Sequence, residues 1–131
     1  MSSVFSKIIA GEIPCYNIAE NENYFAFLDI SPLTKGHTLV IPKIEVDYIF
    51  DLEDDVYLGL QHFSKKVALA IQKSIPCKRV GVCVMGMEVP HAHIHLIPFS
   101  SMSEMNFANP KLKLSANEMQ DICDAIKKEI S

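Results

Sequence analysis

Histidine alternates with apolar residues along positions 91–97 of this chain, and this pattern constrains the fold more than any other. A period of two is the period of a β-strand, so one face of the predicted strand carries His91, His93 and His95. The opposite face carries Ala92, Ile94 and Leu96 towards an apolar core. Because imidazole can donate, accept or transfer a proton near neutral pH, this histidine row indicates a chemical site.

Alternating histidines can also share a zinc ion, so a metal-dependent enzyme using His91 and His93 as ligands is an open alternative. All three are harder to place around one ion, because the outer Cα atoms of an extended strand lie about 13 Å apart. Binding from both ends would put His91 and His95 nearly opposite each other, which tetrahedral zinc disfavours. We therefore favour a site without metal or cofactor.

The composition predicts one soluble globular domain over residues 1–131, with 49% hydrophobic and 21% charged residues. The formal charge of −4 and the lack of a basic stripe argue against a nucleic-acid polymer as partner. No signal layout or membrane-length apolar run is apparent, so no membrane partner is expected. Four scattered cysteines form no Cys-x-x-Cys pair, which favours reduced thiols in the cytoplasm.

The remaining periodicities predict an α+β fold whose sheet is an antiparallel meander of about five strands. We expect strands at 15–20, 24–29, 37–41, 79–84 and 91–97. A short helix begins at Val4, and a long amphipathic helix over 56–71 packs on the sheet. A C-terminal helix begins at Ser115, which forms a capping box with Glu118.

Residues near the histidine row indicate a phosphate-containing substrate. Gly86 lies in the loop before the row and allows backbone amides to turn towards an anion, although it is equally a hairpin residue. Asp29 ends a predicted strand and either caps an Asx-type turn or accepts hydrogen bonds from sugar hydroxyls. Only His93 has imidazoles on both sides, which makes it the best candidate nucleophile towards phosphorus.

Three segments resemble the histidine-triad (HIT) family of nucleotide hydrolases and transferases. They are FSKIIAGEIP, FAFLDISPLTKGHTLVIPK and EVPHAHIHLIP, and together they extend the resemblance over nearly the whole chain. The resemblance implies a HIT-like fold and a homodimer formed through the sheet and the long helix. It also implies hydrolysis at the α-phosphate of purine nucleoside phosphoramidates or dinucleoside polyphosphates, through a nucleotidyl-histidine intermediate.

Matching positions in the HIT pattern imply a role for each site residue. His93 would be the nucleophile, His95 and His37 would contact the phosphate or leaving group, and His91 would orient His93. The implied substrate-binding residues are Asp29 for the ribose, Phe27 and Ile18 for the base, and Gly86, Met87, Glu88 and Val89 around the phosphate.

The chain departs from the HIT pattern at two places. Many members carry Cys-x-x-Cys, which helps to hold zinc, where this chain has Ser3-Val4-Phe5-Ser6, so we predict no zinc there. Many members also carry Gly-Gln before the histidines, whereas this chain has Gly86-Met87, and methionine cannot donate a hydrogen bond to phosphate. Backbone amides would then hold the phosphate, and a nucleotide-binding module with little turnover is the alternative function.

Overall fold

A five-stranded antiparallel sheet forms the centre of the fold in the computed structural model, which describes residues 2–131. The strands are β1 Asn17–Glu20, β2 Tyr24–Leu28, β3 Thr38–Pro42, β4 Arg79–Cys83 and β5 Ile94–Phe99. Their order across the sheet is β1-β2-β3-β5-β4. The α+β class is confirmed. The simple meander is wrong for the second half, because β5 inserts between β3 and β4 and leaves β4 at an edge.

The helices follow the predicted periodicities and capping signals. They are α1 Val4–Ile9, α2 Asp54–Ser74 and α3 Ala116–Lys128, with 3₁₀ turns at Ile49–Asp51 and Met102–Met105. The Ser3 hydroxyl accepts the Ser6 N–H at 3.0 Å and caps α1, while the predicted capping box of Ser115 and Glu118 begins α3. Within the described residues, no helix is long and apolar enough to cross a membrane.

The alternation of apolar side chains gives the sheet two packed faces. The helix-side cluster joins the sheet to α2 and α3, and its buried members include Ala26, Val40, Leu60, Val67, Leu96 and Ile126. The cavity-side cluster on the other face consists of Phe5, Phe25, Phe27, Leu39 and Ile41. Because alternate residues of β2 and β3 enter different clusters, the functional face of the sheet is fixed by the same packing that forms the core.

The histidine row lies only partly in a strand. β5 begins at Ile94, whereas we predicted a strand from position 91. The preceding residues are held by two backbone hydrogen bonds, His91 N–H to Val89 O at 2.8 Å and Ala92 N–H to Val46 O at 2.7 Å. The predicted alternation nevertheless holds, since Ala92, Ile94 and Leu96 all belong to the helix-side cluster.

Ile18 occupies a different face from the one that its expected role requires. The register between β1 and β2 shifts between Asn17 and Ala19, as a β-bulge does. Ile18 is 3% exposed and packs in the helix-side cluster. The assignment of Ile18 to a base pocket beside the histidine row is therefore wrong.

Candidate active site

A cavity of about 450 Å³ opens beside the cavity-side cluster. Its lining comes from α1, the ends of β2 and β3, the loop after β4, the histidine row and the segment after β5. The lining residues are Phe5, Asp29, Ser31, His37, Leu39, Met85, Gly86, Met87, Glu88, Val89, His93, His95, Phe107 and Lys111. The fold thus brings together three of the four predicted catalytic histidines, Asp29 and the whole predicted phosphate loop.

His93 has one ring nitrogen held by the chain. Its Nδ1 lies 2.7 Å from the His91 carbonyl oxygen, and a carbonyl only accepts, so Nδ1 carries the proton of the neutral ring. The Nε2 atom then keeps its lone pair, and the side chain lines the cavity. Phe5 packs edge-on against this imidazole with ring centroids 5.0 Å apart. An oriented imidazole with a free Nε2 lone pair is a competent nucleophile.

His37 and His95 form a hydrogen-bonded pair whose tautomers are set by the backbone. The Leu33 N–H donates to Nδ1 of His37 at 3.0 Å, so the proton of neutral His37 is on Nε2. That Nε2 lies 2.9 Å from Nδ1 of His95 and donates to it. The proton of neutral His95 must then be on Nε2, which is available to donate to a substrate in the cavity.

Burial keeps this histidine pair neutral. Burial first, and then the neighbouring His95 and Lys111, lower the pKa of His37 to about 3. Burial also lowers the pKa of His95 to about 4, and His93 contributes in the same direction. At neutral pH the pair is therefore a directional donor chain without net charge.

His91 is buried outside the cavity and serves the site through its main chain. Its Nδ1 lies 2.9 Å from the Ser3 hydroxyl and its Nε2 lies 2.8 Å from the Pro42 carbonyl. The contact with His93 is made by the His91 carbonyl, so any orienting effect on His93 comes from backbone rather than imidazole. Because both ring nitrogens are engaged, a metal shared by His91 and His93 would have to break one of these bonds.

Of the two alternatives that the sequence left open for Asp29, the structure shows the Asx-type turn and is compatible with the other. Its Oδ1 accepts the Ser31 N–H at 2.8 Å, which is the Asx-type turn. Its Oδ2 lies 3.6 Å from Nε2 of His37, and because His37 is neutral this contact is not an ion pair. Burial is the largest cause of a raised pKa for the Asp29 carboxyl. One carboxylate oxygen thus forms the turn and the other is available to a ligand hydroxyl.

Asp29, His37 and His95 also lie close enough to be considered as metal ligands, with candidate atoms within 4.8 Å of one another. The tautomer of His37 disfavours this. Metal binding through its Nε2 would move the proton to Nδ1, where it would face the Leu33 N–H at 3.0 Å. The donor set therefore suits hydrogen bonding better than coordination.

The loop before the histidine row carries unpaired backbone donors. Gly86 has a φ of 73°, a left-handed conformation that favours glycine. Within residues 2–131, the backbone N–H groups of positions 86–89 donate no hydrogen bond to other protein groups. The Met87 side chain is 90% exposed. These amides form a candidate anion site of the kind that the sequence predicted, without help from the Met87 side chain.

Sequence patterns did not assign several of the cavity residues. Phe5 belongs to the segment predicted as a helix and Leu39 to a predicted strand, and neither was predicted as a site residue. Phe27 is not itself a lining residue, and its ring packs edge-on against Phe5, which lines the cavity, with centroids 5.5 Å apart. Phe107 and Lys111 lie in a stretch without periodicity, so no local pattern could have assigned them.

Comparisons with known proteins show the family to which the chain belongs. The family model of the HIT domain matches residues 10–102. The chain is 33% identical over 132 residues to the adenosine 5'-monophosphoramidase of Schizosaccharomyces pombe, covering 99% of each chain. The chain belongs to the histidine-triad family.

Other members of the HIT family support the same assignment. The HIT domain described here is 39% identical over 102 residues to Protein hit of Bacillus subtilis, which covers 72% of this chain and 69% of that protein. It superposes on a crystal structure of a Hit-like protein from Bartonella henselae with a TM-score of 0.84 and 25% identity, covering 98% of this chain and 96% of that one. The family and the fold predicted from the three sequence segments are confirmed.

Proposed function

We propose that this HIT domain hydrolyses purine nucleoside phosphoramidates or dinucleoside polyphosphates at the α-phosphate, through a nucleotidyl-histidine intermediate. The hydrogen bond from His93 Nδ1 to the His91 carbonyl carries the proposal, because it leaves the Nε2 lone pair free for attack. The relative in Schizosaccharomyces pombe is named an adenosine 5'-monophosphoramidase, so an adenosine phosphoramidate is the first substrate to test.

In the first chemical step, His93 Nε2 forms a bond to the α-phosphorus while the bond from phosphorus to the leaving nitrogen breaks. The Nε2–H of His95 donates to a phosphate oxygen or to the leaving group, and His37 holds His95 in that tautomer. Water then attacks the nucleotidyl-histidine and restores His93. The leaving nitrogen takes up a proton from solvent as it departs as the amine, and the attacking water returns a proton to solvent in the second step, so the overall reaction consumes one water and releases one nucleotide and one amine.

The rest of the cavity suits a nucleoside monophosphate unit. The unpaired amides of loop 86–89 can donate to the phosphate, and the free Oδ2 of Asp29 can accept from ribose hydroxyls. Phe5 and Leu39 provide an apolar wall for a base. Among the described residues, each of the two polar contacts uses a group that has no hydrogen-bond partner within the protein, as expected for a preformed ligand site.

We expect purified protein to release AMP from adenosine 5'-phosphoramidate with one equivalent of ammonia. Acid-free quenching should trap an adenylyl group, and fragmentation of the peptide that contains the histidine row should locate it on His93. A dinucleoside polyphosphate assayed in parallel distinguishes the two substrate classes. Absence of AMP release from both substrates, or an adduct on His91 or His95, would contradict the proposal.

The second candidate function is a nucleotide-binding module with little or no turnover. It is favoured by Met87, whose exposed side chain cannot replace the amide donor that many HIT members carry at this place. Calorimetry then separates the candidates: tight AMP binding without any covalent adduct supports the module, and multiple turnovers per protein support the hydrolase.

We also propose that the HIT domain forms a homodimer through β4 and α2. Among residues 2–131, β4 pairs with β5 alone, and it exposes 61% of Val82, while α2 exposes 65% of Leu58 and 48% of Leu69. An edge strand flanked by exposed apolar side chains is a template for pairing.

Sedimentation of the wild-type protein is expected to show a dimer at micromolar concentration. Val82→Lys should shift this dimer towards monomer, whereas Ile30→Lys should leave it intact. A wild-type monomer would refute this.

We also propose that the protein is located in the cytoplasm. Cys15, Cys77, Cys83 and Cys123 are free thiols. Thiols without disulfide partners suit a reducing compartment, where nucleotide substrates are also abundant.

A further inference from the structure

The segment that follows β5, residues 100–112, contributes Phe107 and Lys111 to the wall of the cavity. The Phe107 ring packs edge-on against His95, with centroids 5.0 Å apart and an interplanar angle of 76°. The Leu112 N–H donates to the Pro32 carbonyl at 2.9 Å and ties the end of the segment to the turn that follows Asp29. The segment is thereby held against the site at two points, on either side of Lys111.

Lys111 projects its ammonium group from this wall. Its Nζ donates to the Phe107 carbonyl at 2.6 Å and to the Asn109 carbonyl at 3.1 Å. An ammonium has three N–H donors, so one donor is left for a ligand, and neutral carbonyls do not cancel its charge. Lys111 lines the cavity, and its charge contributes to the lowered pKa of His37 and opposes the burial that raises the pKa of Asp29.

Within residues 2–131, the other side chains that line the cavity supply no positive charge to bind a phosphate. Asp29 and Glu88 bring negative charge to the lining, while burial keeps His37 and His95 neutral. His93 must itself be unprotonated at Nε2 to attack. Among the described lining residues, Lys111 is then the one cation that can face a nucleotide phosphate in the reactive state. An anion in a cavity lined only by neutral and acidic side chains would be poorly held.

We propose that Lys111 binds the α-phosphate of the nucleotide and supplies the side-chain donor that Met87 cannot supply. The inference rests on the proposed function, because it takes a nucleoside phosphate as the occupant of the cavity. Two kinds of donor from the same cavity lining then bind one phosphate: the neutral amides of loop 86–89 and the charged ammonium of Lys111. The contact with Lys111 requires only its third N–H, because the other two already donate to the carbonyls of Phe107 and Asn109.

The test compares the affinities of AMP and adenosine by calorimetry, since only AMP carries a phosphate. Lys111→Met is expected to weaken AMP binding by about tenfold to a hundredfold, in keeping with the loss of a charged hydrogen bond, and to leave adenosine binding unchanged. Lys111→Arg should retain most of the AMP affinity. Lys113→Met removes an exposed lysine outside the cavity lining and is the matched control.

The possible results distinguish a failure of the proposed nucleotide site from a failure of the role proposed for Lys111. Wild-type protein that binds AMP as weakly as adenosine would refute the nucleotide site, and the role of Lys111 with it. Wild-type protein that prefers AMP, with an unchanged affinity in Lys111→Met, would overturn only the role of Lys111. Equal losses of AMP and adenosine affinity in Lys111→Met would show that the lysine only braces its own loop, which also overturns the inference. A loss of AMP affinity alone, reversed by arginine, supports it.

Discussion

His93→Ala is expected to lower kcat/KM for AMP release by at least about a thousandfold, because it removes the nucleophile of a covalent mechanism. The geometry makes the expectation specific to this histidine. His37 and His91 use both ring nitrogens within the protein, and His95 uses Nδ1 as an acceptor and carries its proton on Nε2. Among the neutral histidines that line the cavity in the described part of the chain, His93 alone therefore offers a nitrogen lone pair.

The assay requires controls for folding and for histidine loss in general. His62→Ala removes an exposed histidine of α2 and should leave kcat/KM unchanged. His91→Ala keeps the backbone carbonyl that orients His93, so its loss of turnover should be much smaller than that of His93→Ala. AMP binding to His93→Ala, measured by calorimetry, shows whether the cavity survives. Turnover by folded His93→Ala above about a tenth of wild type would rule out the nucleophile assignment.

Local sequence patterns predicted which side chains share a face, but not which backbones pair. The alternation around His93 correctly separated the core from the site. The start of β5 at Ile94 depends instead on its partner, since β3 pairs with β5 only from Val40 opposite Ile94 to Thr38 opposite Leu96. The insertion of β5 between β3 and β4 depends likewise on long-range pairing. Ile18 was assigned by its match to the HIT pattern rather than by alternation, and the structure places its side chain in the helix-side cluster, beside the register shift between Asn17 and Ala19.

Local sequence patterns could not predict the tautomers and ring orientations of the site histidines, because these also depend on tertiary contacts. The tautomer of His37 depends on the Leu33 amide, and the ring of His91 is fixed by Ser3, far away in sequence. Phe107 and Lys111 reach the cavity from an irregular segment whose path is set by tertiary contacts. The residue types of the histidine row indicated the chemistry, whereas the protons and the charge that complete it are set by the folded backbone.

Acidification from pH 7.5 to pH 4.5 is expected to lower the free energy of unfolding by about 2–5 kcal/mol through the His37–His95 pair alone. In the unfolded chain both histidines titrate near the ordinary value of 6.5, whereas in the fold their pKa values are about 3 and about 4. Below pH 6.5 the unfolded state therefore binds protons that the native state excludes. Stability present above pH 6.5 is lost progressively until the pH reaches the native pKa values.

Urea unfolding at half-unit steps of pH measures this loss, and single-histidine variants assign it. His37→Gln removes one of the titrations in this window, which also include His91 because burial lowers its pKa, and should reduce the loss between pH 6.5 and pH 4.5 by roughly a third to a half, whatever it does to stability at pH 7.5. His62→Gln removes an exposed histidine and should leave the slope unchanged. Carboxylates with lowered pKa values, such as Glu20, lose their contribution mainly below this window. A flat wild-type profile above pH 4.5 would mean that the pair accepts protons in the fold, and the neutral donor chain from Leu33 through His37 to His95 would then be wrong.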